Sequence, residues 1–151
     1  MAPQLKVQVW IYSRTKEGEY RFLLLHMVPE RGGFWQPVTG GVESGEEISK
    51  AALREAQEET ALSFVGELLD LKTSFEFQSP RGICIEHAFA LETDVGSPVP
   101  KLDQQSYREH SEFRWGNASE TIGLVAWESN KKIFFKLLDQ LGVDKGSAAE
   151  A

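Results

Sequence analysis

The segment from Gly40 to Leu62 restricts the fold more than any other part of the chain. A short apolar run, Phe34 to Val38, precedes it and is expected to form a strand that ends at two adjacent glycines. A helix is predicted to follow from about Glu47 to Thr60, with Ser44 or Gly45 near its N-cap. A strand, a glycine turn and a helix therefore succeed one another within about thirty residues.

Three glutamates, Glu55, Glu58 and Glu59, stand at i, i+3 and i+4 in this predicted helix. At that spacing their carboxylates share one helix face, where like charges repel each other by a few tenths of a kcal/mol. Divalent cations such as Mg²⁺ prefer oxygen ligands and would neutralise such a face. The alternative is a solvated acidic face with no ligand, and spacing alone leaves both interpretations open.

The rest of the chain alternates strand-like segments with one further helix. Residues Glu128 to Leu141 place apolar side chains at helical spacing and predict that second helix. The predicted strands are 6–12, 21–27, 64–77, 82–92 and 112–115. These elements predict an α/β (α+β) fold, with helices packed on a mixed sheet. We expect one domain over residues 1–151, with a flexible tail after about residue 143.

Composition narrows the class of protein. The net charge is −7 and the pI is about 5.0, which disfavours broad binding to nucleic acid. No apolar stretch reaches the roughly 18 residues of a membrane span, and the N-terminus lacks the apolar core of a secretory signal. We therefore expect a cytoplasmic protein without membrane contact. The single cysteine, Cys84, lies in an apolar run and is expected to be buried.

The glycine-to-leucine segment resembles the Nudix box. Gly40 is followed at the family's offsets by Glu46, by Arg54-Glu55 and by Glu58-Glu59, with an aliphatic residue at the end. At roughly one in fifteen to one in twenty for each residue type, this agreement has a chance probability on the order of one in ten million per starting point. One position departs, because Ala61 replaces the family's closing glycine. A left-handed backbone there would cost an alanine about 1–2 kcal/mol.

Two further segments are similar to the dihydroneopterin triphosphate and dATP pyrophosphohydrolase branch of that family. They are Phe34 to Gly41, which leads into the box, and Glu109 to Trp115, which contains a Glu-His pair before an aromatic-x-Trp sequence. The resemblance implies a Nudix-type α/β/α sandwich around a mixed sheet. It also implies a hydrolase that releases pyrophosphate from a nucleoside triphosphate or a pterin triphosphate.

The resemblance implies a metal site as well. Its ligands would be Glu55, Glu58 and Glu59, aided by the Gly40 carbonyl, with Mg²⁺ as the cofactor and Mn²⁺ as a substitute. Glu109 is the candidate for a further metal ligand or for the general base, so that these four glutamates form the predicted catalytic set. An exposed loop glutamate is the alternative for Glu109.

Two residues of the box are predicted to support the site without performing chemistry. The Arg54 guanidinium cannot act as a base, and its fixed fork is suited to holding Glu46 or Glu58. Glu46 is accordingly interpreted as a structural partner. Glu76 and Glu86 compete with Glu109 as general base, although each is interpreted as a surface charge on a strand.

Trp35 and Arg81 are the predicted substrate-binding residues. The Trp35 ring could stack on a base or pterin, whereas packing in the core is its alternative role. Arg81 lies in a turn and could contact phosphate, whereas simple exposure is its alternative.

Three functions stay open on the sequence alone. Hydrolysis of a small triphosphate is favoured, and sugar-linked or dinucleoside diphosphates are compatible small substrates too. The second function is hydrolysis at the 5′-triphosphate end of RNA, which would present the same phosphate chain. A non-catalytic nucleotide sensor is the third function, but such a domain would not need to keep every box glutamate. The oligomeric state is also open, and a homodimer is compatible with the sequence.

Overall fold

The computed structural model describes residues 2–102 and 110–143, without the side chains of Arg31, His110 and Ser111. It contains seven strands, three α-helices and a short 3-10 helix at Pro29–Arg31 within those residues. The strands are β1 (Gln4–Arg14), β2 (Tyr20–Met27), β3 (Trp35–Gln36), β4 (Val38–Gly41), β5 (Phe64–Ser79), β6 (Gly82–Thr93) and β7 (His110–Gly116). The α-helices are α1 (Ile48–Thr60), α2 (Ala118–Leu124) and α3 (Glu128–Leu141).

The strands form one mixed sheet with β1 at its centre. The main order is β3-β2-β1-β6-β5, while β4 also pairs with β1 and β7 also pairs with β2. β1 runs antiparallel to β2 and β4 and parallel to β6. Residues 7–13 of β1 are buried without interruption, as expected for a strand covered on both faces.

Two hydrophobic clusters lie on the two faces of this sheet. Val7, Val9 and Ile11 of β1 belong to the cluster that also contains the alanines of α1. Trp10 and Tyr12, which alternate with them, belong to the cluster that contains the apolar side chains of α3. Helices therefore cover both faces, and the predicted α/β/α sandwich around a mixed sheet is confirmed.

The helix boundaries differ from the prediction in a few places. α1 begins one residue later than predicted, and its N-cap is Glu47, not Ser44 or Gly45. The Glu47 side chain makes no capping hydrogen bond. α3 has the predicted bounds, Glu128–Leu141. α2 was not predicted, although its capping box, formed by Asn117 and Glu120, is a readable signal.

The strand predicted at residues 34–38 consists of two shorter strands. β3 pairs with β2, whereas β4 pairs with β1 and continues through the two glycines that were expected to end it. This arrangement keeps Gly40 in the sheet, paired with Val7. Cys84 is buried as predicted.

The end of α1 is the position where the sequence departs from the Nudix box. Ala61 caps the helix with φ 55° and ψ 21°, so it adopts the left-handed conformation that the family's glycine would adopt. Its N–H still donates to the Gln57 carbonyl at 2.8 Å. The helix thus ends by left-handed capping despite the missing glycine. A single domain over residues 1–151 stays a prediction, and the tail expected after residue 143 lies outside the described residues.

Candidate active site

α1 approaches the sheet closely because the side chains that it buries are small. Ala51, Ala52 and Ala56 are fully buried against β1 and β4. These positions recur at i, i+1 and i+5, and a larger side chain at any of them would push the helix away from the sheet. The polar face of α1 is thereby held beside the two glycines at the end of β4.

Gly40 and Glu55 are in direct contact at this junction. A Cβ atom on residue 40 would overlap the Glu55 carboxylate. The sheet fixes Gly40 through its pairing with Val7, so the overlap could not be relieved by moving the strand without breaking the ladder. Only glycine therefore allows the carboxylate to lie at this point of β4, and Gly40 shapes the site by having no side chain.

Arg54 joins the acidic residues of the segment. Its Nε and Nη2 donate to the two carboxylate oxygens of Glu46 at 2.8 and 3.0 Å, which is a bidentate pair. Nη1 donates to Glu55 at 2.8 Å and to Glu58 at 3.1 Å. Nη2 also donates to the Gly41 carbonyl at 2.8 Å. The sequence predicted that Arg54 would hold Glu46 or Glu58, and the guanidinium contacts both, connecting β4, the loop and α1.

Sequence reasoning did not single out Glu43 as a member of this group. Its Oε1 lies 3.1 Å from the Arg54 Nε, while its backbone N–H donates to Glu46 at 3.0 Å. The Glu43 side chain is about two-thirds exposed, so its charge is well solvated. A pattern of fixed residue types gives no signal for it, because its place depends on the path of the loop from residue 42 to 47.

The guanidinium controls the ionisation of its closest partner. Hydrogen bonds from Arg54, and then from the Glu43 backbone, lower the pKa of Glu46 to about 2. The pKa of Arg54 is raised in turn, first by its hydrogen bond to Glu46 and also by Glu55. Both groups are thus charged near neutral pH, and Arg54 has no unprotonated form that could accept a proton.

Glu55 behaves differently from Glu46. Burial raises the pKa of Glu55 to about 7, and the charges of Glu58 and Glu59 add to the increase, against the lowering effect of Arg54. The three helix glutamates also differ in exposure, since Glu59 is 5% exposed and the Glu58 side chain is 49% exposed. The common face inferred from their spacing therefore extends from the protein interior to solvent.

The donor chemistry of this group suits a hard cation. Carboxylate oxygens and a nearby backbone carbonyl are the ligands that magnesium prefers. In the described residues, no three His, Cys, Asp or Glu side chains are gathered into a metal-binding cluster. The Arg54 guanidinium instead occupies Glu55 and Glu58. The residues present fit a metal by their chemistry and by the Gly40–Glu55 contact, and their ligand roles stay predictions.

The other predicted site residues have different surroundings. Glu109 lies outside the described residues. The Trp35 ring packs on the core cluster below α3 and lies 4.7 Å from the His26 imidazole, centroid to centroid. Arg81 is exposed in the β5–β6 turn, where its backbone N–H donates to the Ser79 hydroxyl at 3.2 Å. The substrate-binding roles of both residues stay predictions.

The two competitors for the role of general base lie on neighbouring strands but differ in burial. Glu76 is exposed on β5, as expected for a surface charge. Glu86 on β6 is only 6% exposed, so its interpretation as a surface charge was wrong. Its side chain points to the sheet face away from α1, where the Gln8 Nε2 donates to it at 2.7 Å. The sequence signal was weak, because Glu86 lies between Ile85 and the polar His87, which leaves open the face that the fold buries.

Comparison with known proteins identifies the family of the chain. A family model described as NUDIX domain matches residues 3–138 of the chain. This chain belongs to the Nudix family. The Nudix hydrolase predicted from the glycine-to-leucine segment is thereby confirmed, and Nudix enzymes are typically metal-dependent.

Individual relatives agree with this assignment. The chain is 31% identical over 106 residues to the dihydroneopterin triphosphate diphosphatase of Escherichia coli K12. The match covers 66% of this chain and 71% of that protein. It is 28% identical to a protein from Listeria monocytogenes described as a NUDIX hydrolase. That crystal structure superposes with a TM-score of 0.73 over 95% of this chain and 96% of the other.

A third match covers only part of a longer protein. The chain is 38% identical over 99 residues to the octanoyltransferase of Myxococcus xanthus, a match that spans 64% of this chain and 26% of that protein. The chain thus spans about a quarter of the octanoyltransferase. Among the described residues of the Nudix chain, no helix is long and apolar enough to cross a membrane.

Proposed function

We propose that this Nudix chain hydrolyses a nucleoside triphosphate or a related small triphosphate, such as a pterin triphosphate, to a monophosphate and pyrophosphate. The observation that carries the proposal is the group of carboxylates held by Arg54 beside Gly40. Even beside Arg54 the ionised form of Glu55 is costly, because burial and the charges of Glu58 and Glu59 both oppose it, and a bound divalent cation would stabilise it.

Glu55, Glu58 and Glu59, with the Gly40 carbonyl and Glu109, would hold Mg²⁺, for which Mn²⁺ is a substitute. Magnesium bound there supplies positive charge against the phosphates and makes water more acidic. Arg54 orients Glu55 and Glu58 while Glu46 keeps the guanidinium in place. The small alanines of α1 fix the distance of these carboxylates from the sheet, which positions them before substrate binds.

The choice of a small substrate rests on two observations. The net charge of −7 gives no broad attraction for a nucleic acid. The E. coli relative is named as a diphosphatase of a pterin triphosphate. We also propose that the enzyme is cytoplasmic. Trp35 and Arg81 stay the proposed substrate contacts, as a stacking ring and a phosphate-binding cation.

The bond that breaks can be tested with labelled water. Nucleoside triphosphates, a pterin triphosphate and triphosphorylated RNA are incubated with Mg²⁺ in oxygen-18 water, and the products are analysed by mass spectrometry. We expect label in the monophosphate and unlabelled pyrophosphate, which means attack at the α-phosphorus. Label in pyrophosphate would correct the position of attack. Orthophosphate as the sole first phosphate product, or turnover of RNA alone, would overturn the proposal.

Glu109 is proposed to act with the metal site, as a further ligand or as the general base that accepts a proton from water. Glu109→Gln is expected to lower turnover by about 100-fold or more, the size typical of a lost acid–base group. Glu76→Gln is the matched control, since it makes the same change on an exposed strand position. If Glu109→Gln retains wild-type turnover across the pH range, Glu109 has neither role.

A further inference from the structure

Three polar residues lie on the sheet face away from α1. Lys6 and Gln8 alternate along β1 with the valines that face α1, and Glu86 is the partner of Lys6 on the neighbouring parallel strand β6. Gln8 is fully buried and Glu86 is 6% exposed. Neither residue belongs to the Nudix box, and the carboxylate group around Arg54 does not use them.

A hydrogen-bond chain fixes the direction of the Gln8 amide. The Trp10 Nε1 donates to the Gln8 Oε1 at 2.7 Å, and the Gln8 Nε2 donates to the Glu86 Oε2 at 2.7 Å. An indole N–H can only donate, so the amide oxygen must face Trp10 and the amide nitrogen must face Glu86. Glu86 is therefore held from one side by a donor whose orientation cannot reverse.

The Glu86 carboxylate has acceptor capacity that the described residues leave unused. In the described part of the molecule, Gln8 is the one side chain that donates a hydrogen bond to it. A carboxylate offers about four acceptor sites. No fully buried side-chain oxygen in that part lacks a partner, so the unbonded Oε1 must be reachable from outside. Burial raises the pKa of Glu86 against the lowering effects of the Gln8 hydrogen bond and the Lys6 charge, so a further donor would stabilise its anion.

The backbone of Glu86 lies two strands away from that of Gly41, at the end of β4 where the carboxylates of α1 begin. Glu86, Lys6 and Gly41 are partners in a row across three strands. The row is about 10 Å wide, because neighbouring strands lie about 4.8 Å apart. Gly41 adjoins Gly40, which contacts Glu55. Among the described strands β4 pairs with β1 alone, so its other edge is not hydrogen-bonded to a described strand. A ligand that contacts both sheet faces would have to pass around that edge.

We propose that Glu86, positioned by Gln8, recognises the ring of the substrate by accepting hydrogen bonds from adjacent N–H donors. This inference rests on the proposed triphosphate hydrolysis and specifies its substrate class. A 2-amino-4-oxo ring, as in guanine or a pterin, presents a ring N–H beside an amino group. The corresponding edges of adenine and cytosine place a donor beside an acceptor, and uracil has one N–H between two carbonyls. A buried carboxylate matches the first edge and leaves the others with unsatisfied groups.

The first test uses the unaltered enzyme and does not depend on any variant. We expect kcat/KM with Mg²⁺ to be about 10- to 100-fold higher for GTP or a pterin triphosphate than for ATP, the range expected for hydrogen bonds to a charged group. ITP lacks the amino group and should fall between GTP and ATP. Comparing GTP with the pterin triphosphate distinguishes the two sources of the same ring edge. Equal kcat/KM for all four substrates would overturn the proposal.

The second test replaces the acceptor. In Glu86→Gln the new amide must offer its oxygen to Gln8, so its nitrogen takes the place of Oε1 and turns an acceptor into a donor. We expect kcat/KM for the preferred ring to fall about 10- to 100-fold through KM, with ATP changed less than about threefold. Glu76→Gln, on the neighbouring strand and exposed, should leave every substrate unchanged.

Other outcomes assign Glu86 a different role. An equal loss of kcat for every substrate would mean that Glu86 acts in the chemistry, and an equal loss with a lower melting temperature would mean that it only supports the fold. Either result overturns ring recognition. If the enzyme hydrolyses no triphosphate, the α,β-methylene analogues of GTP and ATP are compared by calorimetry. Preference for the GTP analogue that Glu86→Gln abolishes would support ring recognition although the proposed hydrolysis had failed, and equal binding would reject both.

Discussion

α1 and α3 have nearly the same length and cover opposite faces of the same sheet, yet they bury different side chains. α1 buries the three alanines, whereas α3 buries large apolar residues, Ile133, Phe134, Leu137 and Leu138. The Phe134 ring stacks on Trp10 at 5.1 Å and meets Phe22 edge-on at 4.8 Å. α3 thus provides much of the apolar burial on its face, and α1 provides little apolar area for its length.

Under the proposed function, the difference separates the helix that provides stability from the helix that carries the chemistry. α1 lies close to the sheet at the expense of apolar area, and that closeness brings Glu55 against Gly40. Its polar face then carries Arg54 and the glutamates, one of which is ionised only against the cost of burial. The molecule therefore separates a helix that stabilises the fold from a helix that positions charged groups. Substitutions in α3 should therefore lower stability, whereas substitutions in the polar face of α1 should lower turnover.

The largest expected effect comes from a pair of substitutions, one in each helix. Leu138→Ala should lower the free energy of unfolding by about 2–5 kcal/mol, because Leu138 is fully buried and its loss leaves a cavity. Glu59→Gln should lower turnover by about 100-fold or more while the unfolding free energy changes little, because the amide has the shape of the carboxyl but not its charge. Denaturant unfolding and steady-state kinetics measure the two quantities.

The controls exploit the same separation. Leu138→Ala is assayed at a temperature where it is fully folded, and its turnover per folded molecule should then stay near that of the wild type. Undiminished hydrolysis by Glu59→Gln would remove Glu59 from the catalytic set. A loss of both stability and turnover in both variants would show that the two helices do not have separate roles.

The second prediction concerns the pH dependence of stability in metal-free protein. The pKa of Glu55 is about 7 in the folded state against an ordinary value of 4.5. Well below pH 4.5 the group is neutral in both states and costs nothing. As pH rises through the interval to about 7 the unfolded state ionises first, so the wild type loses stability. Glu55→Gln should lack this loss and be more stable at pH 8 by on the order of 1 kcal/mol, a value reduced for solvent screening.

Thermal unfolding in a chelator, measured from pH 4.5 to pH 8, tests this expectation. Glu128→Gln on α3 is the matched control, since that carboxylate is 81% exposed and should show no difference from the wild type. Adding Mg²⁺ at pH 8 should stabilise the wild type more than Glu55→Gln. If the difference in stability between Glu55→Gln and the wild type does not change with pH, ionisation of Glu55 does not destabilise the folded state.

The helix and its charged residues could be predicted because their contacts are short in sequence. Arg54 reaches Glu46 across eight residues and Glu58 across four, so spacing along a helix and one loop nearly determines these pairs. The relative burial of Glu58 and Glu59 did not follow from spacing. Adjacent helix positions differ by about 100° in direction, which is enough to place one carboxylate in solvent and the other inside.

The pair formed by Gln8 and Glu86 could not be predicted, because 78 residues separate them. Their contact depends on the parallel pairing of β1 with β6 and on its register, where a shift of one residue would turn every side chain to the opposite face. Alternation within β6 predicts that Glu86 faces opposite to Ile85, but not which face the rest of the molecule covers. The pairing of β1 with β6 therefore determines the burial of Glu86, which the local sequence pattern does not.

The smallest expected effect compares the ends of the two helices. α1 ends at Ala61 with φ 55° and α3 ends at Gly142 with φ 75°, so an alanine and a glycine adopt the same left-handed conformation. Relief of strain in Ala61→Gly is worth about 1–2 kcal/mol, and the greater freedom of glycine in the unfolded chain offsets about 0.4–1 kcal/mol of it. We expect Ala61→Gly to raise the free energy of unfolding by roughly 0.5–1 kcal/mol. Gly142→Ala should lower it by a similar amount, and because a Cβ on residue 142 would meet nothing within 4 Å, backbone strain is its only cost.

Denaturant unfolding of both variants measures the two changes, with turnover as a second readout. If Ala61→Gly is less stable than the wild type, the left-handed alanine is not strained. If Ala61→Gly is more stable but turns over more slowly, the strained end of α1 contributes to the placement of Glu58 and Glu59. The end of α1 would then influence the chemistry, whereas the end of α3 would affect stability alone.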